Sequence, residues 1–264
     1  MPMTVQSMHS VGLLVPPSNP TLEIEIKQLL DDQVYLYVSR FPVFPDCDLA
    51  ERNRRYLQEY LDASLRFGKL PLSAILVGLT GSNYASGPDE DRRFCQELST
   101  RLNVPFATTS LAILELLRHL QFKRLHLELP YPQWLIDEAK CYWEQAGIEV
   151  VAANSILDAL QVEDAYAIDA QDLEDYLQSL TLQDGAPVLL SGTGMRTIGA
   201  IEDLIDRYPA PLLSSNLAAA FWLLSKCGDR GLRGSVLYCK LYEKLKRFAS
   251  CSDWSEVDSL FNPF

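Results

Sequence analysis

The sequence predicts an α/β fold built from two similar halves with parallel sheets, and three observations predict it. Short apolar runs alternate with amphipathic helical patterns along the 264 residues, the order that produces βαβ units with right-handed crossovers. The strand pattern of roughly the first hundred residues restarts near residue 124. Several apolar runs also end in turns rich in Ser, Thr, Asn and Gly, each followed by a helical pattern. Such folds bind ligands in a cleft at the carboxyl ends of their strands.

Taken in order, Val11–Val15 reads as a buried strand that leads through PPSNP into a helix over Thr21–Leu30. Glu23 and Glu25 stand near the start of that helix, where its dipole favours acids. Val34–Val38 is a second strand, ending in Ser39-Arg40 and a Pro-rich loop to Asp48. A long amphipathic helix over Ala50–Phe67, a strand over Ser73–Leu79, a TGSN turn and a helix from about Asp89 to Leu102 come next. Strand Phe106–Ala107 and helix Ser110–His119 complete the first set.

The second set opens with strand Arg124–Glu128, which runs into Pro130-Tyr131-Pro132. It continues with helix Gln133–Ala146, strand Glu149–Ala153, an acidic region and helix Ala170–Leu180. Val188–Leu204 follows, then Leu212–Ser214, helix Leu217–Lys226 and a tail with GDRGLRG and two short helical runs. The predicted halves are residues 1–107 joined by 217–264, and residues 108–216.

Val188–Leu204, VLLSGTGMRTIGAIEDL, concentrates the functional signal. An apolar run breaks into Ser191, Gly192, Thr193 and Gly194, and Ile198, Ile201, Leu204 and Ile205 then recur at helical spacing. The first N–H groups of a helix lack internal partners and carry partial positive charge. A Gly/Ser/Thr turn at such a place is a seat for a small anion. The repetition of these turns predicts strand ends gathered around one ligand.

Composition narrows the ligand class. A net charge of −12 argues against nucleic acid or an anionic membrane surface as partner. No apolar run approaches the roughly 20 residues that span a bilayer. The N-terminus shows no charged region followed by an apolar core, so no signal peptide is expected and the cytoplasm is the expected location. Cys47, Cys95, Cys141, Cys227, Cys239 and Cys251 are scattered without CxxC pairing, which predicts reduced thiols and no zinc site.

His9, His119 and His126 are isolated, and no spacing of His, Asp or Glu matches a metal site. Gly192, Gly194 and Gly199 are spaced GxGxxxxG rather than GxGxxG, which argues against a dinucleotide, and no cofactor is expected. The Gly228, Gly231 and Gly234 cluster lacks the Lys-Ser/Thr of a phosphate loop and reads as a turn. Tyr131 reads equally as an aromatic cap on the following helix or as a hydroxyl reaching the cleft. Arg40 and Arg196 follow strand ends and read either as surface charges or as carboxylate partners.

With these motifs in place, the chain resembles the maleate cis-trans isomerase and arylmalonate decarboxylase branch of the aspartate/glutamate racemase superfamily. VGLLVPPSNPTLEIE is similar to the opening of that branch at Pro16, Ser18, Asn19, Thr21, Glu23 and Glu25. PFATTSLAILELLRHLQFKRLHLELPY resembles the stretch ending in its active-site Tyr, here Tyr131. LLSGTGMRT resembles the turn of its second catalytic Cys, and PLLSSNLAAAFWLL a helix start of the same proteins. The resemblance implies two Rossmann-like (flavodoxin-like) halves related by a pseudo-twofold, with a substrate carboxylate held between them. It implies cofactor-independent proton transfer or addition at the carbon next to a carboxylate, and it allows a homo-oligomer.

The chain departs from that pattern where the branch carries its thiols. The first Cys position falls on Leu79 and the second on Gly192, while an Asn of some isomerases falls on Ala159. A thiol titrates near pH 8.5 and is readily tuned to a thiolate. A Ser or Thr hydroxyl needs an adjacent base, and neither turn has a His near it in sequence. Cys47 follows the second strand between two acids in PDCD, and it reads as a cleft thiol or as a plain loop cysteine.

The expected site therefore comprises Tyr131, Thr80, Ser82 and Thr193 as catalytic hydroxyls. Ser18, Asn19, Gly81, Gly192, Gly194 and Arg196 are the expected substrate-binding residues. The expected ligand is a small carboxylate or dicarboxylate. Two functions fit: an isomerase or decarboxylase acting next to the carboxylate, with Tyr131 and backbone N–H groups holding enediolate charge, or a thiol-less relative that binds a carboxylate without turning it over.

Overall fold

The computed structural model describes residues 9–182, 185–227 and 234–248. Its strands form two four-stranded parallel sheets. The first contains β1 (His9–Val15), β2 (Val34–Arg40), β3 (Ala74–Val77) and β4 (Phe106–Thr108), in the order β2-β1-β3-β4. The second contains β5 (Arg124–Leu129), β6 (Glu149–Ser155), β7 (Val188–Leu190) and β8 (Leu212–Ser214), in the order β6-β5-β7-β8. Counted from its own first strand, each sheet has the same order, as the restart near residue 124 predicts.

The central strands are short and apolar because helices cover both faces of each sheet. AILV of β3 and VLL of β7 are buried at every position. Before β5 the helices are α1 (Leu22–Leu29), α2 (Leu49–Leu65), α3 (Gly81–Tyr84), α4 (Gly87–Leu102) and α5 (Thr109–His119). After β5 they are α6 (Gln133–Gln145), α7 (Ile156–Leu160), α8 (Ala170–Ser179), α9 (Thr197–Leu204) and α10 (Ser215–Ser225), with α11 (Val236–Phe248) last. Their ends follow local chemistry. Asp48 starts α2 by accepting from the Glu51 N–H at 2.8 Å, and Asp169 and Asp172 form a reciprocal capping box on α8.

The helix α10 is apolar nearly all round and is buried from Ser215 to Leu224, as a helix central to a domain must be. It packs against α5 and α1. One hydrophobic core runs from Val11 through both sheets to Leu245, so the halves share an interior. A smaller core of Tyr56, Tyr60, Phe41 and Phe67 lies where α2 covers the outer face of the first sheet.

Two short helices depart from the sequence reading. TGSN is not an open turn: Gly81–Tyr84 coils into α3, and α4 begins at Gly87, whose φ of 76° lets the chain reverse between them. Within the acidic region, Ile156–Leu160 forms α7 and Ala165–Ala167 a 3-10 turn. One helical run of the tail is α11, while residues 228–233 of GDRGLRG, Cys251 and the run beyond residue 248 lie outside the described residues. No described helix is long and apolar enough to cross a membrane.

Candidate functional site

In a 2-1-3-4 parallel sheet the chain leaves the first and third strands toward opposite faces, which opens a crevice at their carboxyl ends. Each half has one such crevice, beside β1 and β3 and beside β5 and β7, and the two open onto a common cleft of about 590 Å³. All four switch-point turns line it: Ser18 and Asn19 after β1, Leu79 and Gly81 after β3, Tyr131 after β5, and Gly192, Thr193 and Gly194 after β7.

A chain of hydroxyls and amides fixes these turns. Asn19 Oδ1 accepts from the N–H groups of Thr21 and Leu22 at 3.0 Å, which closes the entry to α1. Its Nδ2 donates at 3.0 Å to the Thr193 hydroxyl, which itself donates to the Gly78 carbonyl at 3.0 Å. Thr21 Oγ1 donates to the Gly194 carbonyl at 2.8 Å. The turns after β1, β3 and β7 are thus bound to one another directly.

Tyr131, after β5, also lines the cleft. Its hydroxyl lies 2.8 Å from Thr80 Oγ1. A methyl group placed on Gly81 would stand 3.7 Å from its ring, and one on Gly192 would stand 3.6 Å from its oxygen. Burial pushes the Tyr131 phenol well above the ordinary tyrosine range, and neighbouring Tyr84 adds to the rise, so the hydroxyl keeps its proton. The sequence left Tyr131 between a helix cap and a cleft hydroxyl; in the structure the residue lines the cleft and its hydroxyl meets buried Thr80.

The turn after β7 differs from its sequence reading in one respect. The first turn of α9 is not open to a ligand, because an internal carboxylate already occupies it. Glu25, buried on α1, accepts from the Ile198 N–H at 2.9 Å, the Thr197 hydroxyl at 3.0 Å and Asn216 Nδ2 at 2.6 Å. Burial raises its pKa while these donors oppose the rise. The Gly192 N–H is also taken, by Ser215 Oγ at 3.0 Å. Among the described residues, the backbone N–H groups of Thr193 and Gly194 have no acceptor, and both residues line the cleft.

The turns after β4 and β8 stand behind the site. Thr109 Oγ1 donates to the Val77 carbonyl at 2.7 Å, Ser110 to the Thr80 carbonyl at 3.5 Å, and Ser215 holds Gly192 from the mirrored place. Their hydroxyls hold the lining turns and do not line the cleft, contrary to the expectation that every such turn converges on the ligand. Ser82 is buried and donates to Asn53 Oδ1 at 3.3 Å.

Arg196 is not brought to the cleft: it is exposed where α9 begins and caps nothing with its side chain. The other strand-end arginine is a brace. Arg40 donates to the carbonyls of Pro16 at 3.1 Å and Pro17 at 3.0 Å and pairs with Glu23. Cys47 does not line the cleft, and neither does any other described cysteine, histidine or lysine. Among the described residues no group of three or more His, Cys, Asp or Glu is placed to hold a metal ion.

The position matched to the second thiol has little room for a side chain. Gly192 holds a φ of 139°, and a Cβ there would meet Pro130 Cγ at 2.8 Å. A cysteine at this position requires the backbone or Pro130 to move.

Two further walls were missed. Leu49, Arg52, Asn53 and Tyr56 lie at i, i+3, i+4 and i+7 on α2 and all face the cleft. Polar residues on a stripe that should be apolar were the available signal. The second is the segment from Glu163 to Tyr166, whose Tyr166 ring lies so close over Gly194 that a Cβ there would meet it at 2.4 Å. Nothing in the acidic composition of that segment singled it out.

Paired sheets of identical order around a cleft lined by strand-end turns define a two-halved, parallel α/β protein. The model of the arylmalonate decarboxylase family matches residues 68–235, and the chain belongs to that family. Among solved structures it is similar to the maleate isomerase Iso of Pseudomonas putida, with 20% identity, 89% of this chain and 100% of that chain covered, and a TM-score of 0.74. It is similar to an arylmalonate decarboxylase at 19% identity, with 89% and 99% covered and a TM-score of 0.74. A Cys-to-Ser variant of the Nocardia farcinica maleate cis-trans isomerase, with a covalently bound succinylcysteine intermediate, matches at 22% identity, with 83% and 93% covered and a TM-score of 0.71. At these identities the likeness is one of fold. No curated protein matches the chain in sequence.

Proposed function

We propose that the cleft binds a small carboxylate and that the protein acts on the carbon next to it, as an isomerase or decarboxylase of the racemase superfamily. The carrying observation is the convergence of the four switch-point turns on a single cleft, with the Tyr131 hydroxyl 2.8 Å from Thr80 and the Thr193 and Gly194 N–H groups left without internal acceptors. Charge that develops on the carboxylate oxygens as the neighbouring carbon gains electron density would meet donors already in place. Because its phenol stays protonated, Tyr131 acts here as donor to that charge, with Thr80, Thr193, Gly81, Gly194, Ser18 and Asn19 shaping the seat. Water or a relocated group of the protein handles the proton at carbon. Family membership and the solved maleate isomerase and arylmalonate decarboxylase structures support this reading.

A second reading has its own observation. No cysteine, histidine or lysine lines the cleft among the described residues, and Gly192 has little room for a thiol. On this reading the protein binds the carboxylate without turnover, as a sensor or an inactive partner subunit. A thermal-shift screen with malonate, maleate, succinate, aspartate and arylmalonates, followed by proton exchange in heavy water, separates the two. Exchange at the α-carbon that disappears in Tyr131→Phe supports the enzyme. Stabilisation by a diacid without exchange supports the binder, and no stabilisation by any of them overturns both.

A further inference from the structure

The last strands of the two sheets lie in matching sequences. PFATTSLAILELL around β4 aligns with PLLSSNLAAAFWL around β8. Thr108 and Ser214 each accept from the N–H three residues on, at 3.3 Å and 3.1 Å. The alignment sets Glu115 of α5 against Phe221 of α10, and Arg118 against Leu224. In each half the helices before and after that strand flank a groove. In the second half α11 occupies it. Tyr242 stacks on Phe221 with ring centroids 6.1 Å apart and meets His119 of α5 in a hydrogen bond. Lys240 pairs with Glu202 of α9 at 3.2 Å, and Lys244 pairs with Asp206 just beyond that helix.

In the first half the corresponding groove is open. It encloses about 380 Å³, is lined from α4, β4, α5 and α10, and shares no lining residue with the cleft. Phe106, Leu111, Leu114 and Trp222 give it apolar surface, and Arg92, Arg118 and Lys226 give it three cations against one acid, Glu115. Lys226 pairs with Glu115 at 2.8 Å and lies over the Trp222 ring, 5.3 Å from its centroid. Arg92 pairs with Asp89 at 2.8 Å, while Arg118 is exposed and makes no ion pair among the described residues. In a chain of net charge −12 this is a local surplus of positive charge. The groove therefore fits a segment with apolar residues at helical spacing and acids beside them, the reverse of the lysines that α11 offers to the acids at α9.

Residues 249–264, which follow α11 in sequence, have that chemistry. They carry Asp253, Glu256 and Asp258 and no Lys or Arg, and Trp254, Val257 and Phe261 recur at i, i+3 and i+7. They also start within reach. Tyr242 meets His119, the neighbour of Arg118 on α5. Phe248 stands about 9 Å further along α11, and the six residues from there to Trp254 span up to about 20 Å when extended. We propose that residues 251–264 seat in the groove between α4 and α5, as α11 is seated in the corresponding groove of the other half. Trp254, Val257 and Phe261 meet the apolar lining, and the three acids face Arg92, Arg118 and Lys226. This intramolecular docking site is independent of what the cleft binds.

The test is photo-crosslinking of the full chain with Trp254→p-benzoylphenylalanine, mapped by mass spectrometry, beside hydrogen exchange of wild type and Trp254→Ala. The expected adduct joins position 254 to residues 92–118 or 222–226 of the same chain. Adding Arg118→Glu should lower its yield about threefold or more, because the acids then meet like charge. Trp254→Ala should lose exchange protection in residues 92–99 and 111–118 while α11 keeps its own, which also shows that the variant is folded. An adduct to the same residues of a second copy, seen as a crosslinked dimer, would overturn the intramolecular seat in favour of a contact between copies. An unchanged yield with Arg118→Glu would overturn the ionic part of the account. Adducts elsewhere, or unchanged exchange in Trp254→Ala, would overturn the docking site itself.

Discussion

Asn19, in the turn after the first strand, donates its side-chain amide to the hydroxyl of Thr193, 174 residues further on, at 3.0 Å. Thr193 passes the contact on to the Gly78 carbonyl, also at 3.0 Å. One hydroxyl thus ties three strand-end turns from two sheets, and the shape of the cleft depends on it. Thr193→Val keeps the side-chain volume but leaves the Gly78 carbonyl and one Asn19 N–H buried without partners. The expected cost is about 1–3 kcal/mol in a urea titration. A change within experimental error would show that the turns are held elsewhere.

Asp91 predicts a pH dependence of opposite sign to the usual salt-bridged carboxylate. It is buried, and it accepts from Asn83 at 3.0 Å and from Thr108 and Tyr142 at 2.8 Å. Burial raises its pKa from 3.8 to about 6 despite these donors. Because the folded pKa lies above the unfolded one, the contribution of this group is fully present below about pH 4. It is lost as the pH rises through about 6, a fall of about 3 kcal/mol. Stability measured from pH 4 to 7 should show this fall in wild type relative to Asp91→Asn. Parallel curves for the two proteins would contradict it.

The two positions matched to thiols should respond differently to cysteine. Leu79 lines the cleft and is partly exposed, so Leu79→Cys is expected to change stability by less than about 1.5 kcal/mol. Gly192→Cys must strain a φ of 139° and displace Pro130 from 2.8 Å, with an expected loss of about 2–4 kcal/mol. Thermal melts of the two single variants check this. Equal melting temperatures would mean that the turn after β7 adapts easily and that its glycine is not a steric requirement.

Much of this site was legible in the sequence because its residues sit at strand ends, which apolar runs mark plainly. Asn19, Gly81, Tyr131 and Thr193 each follow such a run within a few residues. The occupant of the α9 start was not legible. Glu25 stands in the first turn of α1, where a helix dipole explains an acid locally, yet its partner Ile198 is 173 residues away. The wall contributed by α2 was hidden for a related reason. Arg52 and Asn53 look solvated in an amphipathic pattern until the cleft beside their stripe is known. Segment 163–166 has no periodicity at all, and only the folded chain brings Tyr166 over Gly194.

Tyr131 carries the central claim, and calorimetric titration of wild type and Tyr131→Phe with malonate and phenylmalonate tests it most directly. Removing the hydroxyl takes away one neutral donor to a charged ligand while Thr80 and the turn N–H groups remain. Binding should weaken by about tenfold or more, with the ligand-free melting temperature nearly unchanged. Equal affinity in the two proteins would contradict a carboxylate seated at Tyr131.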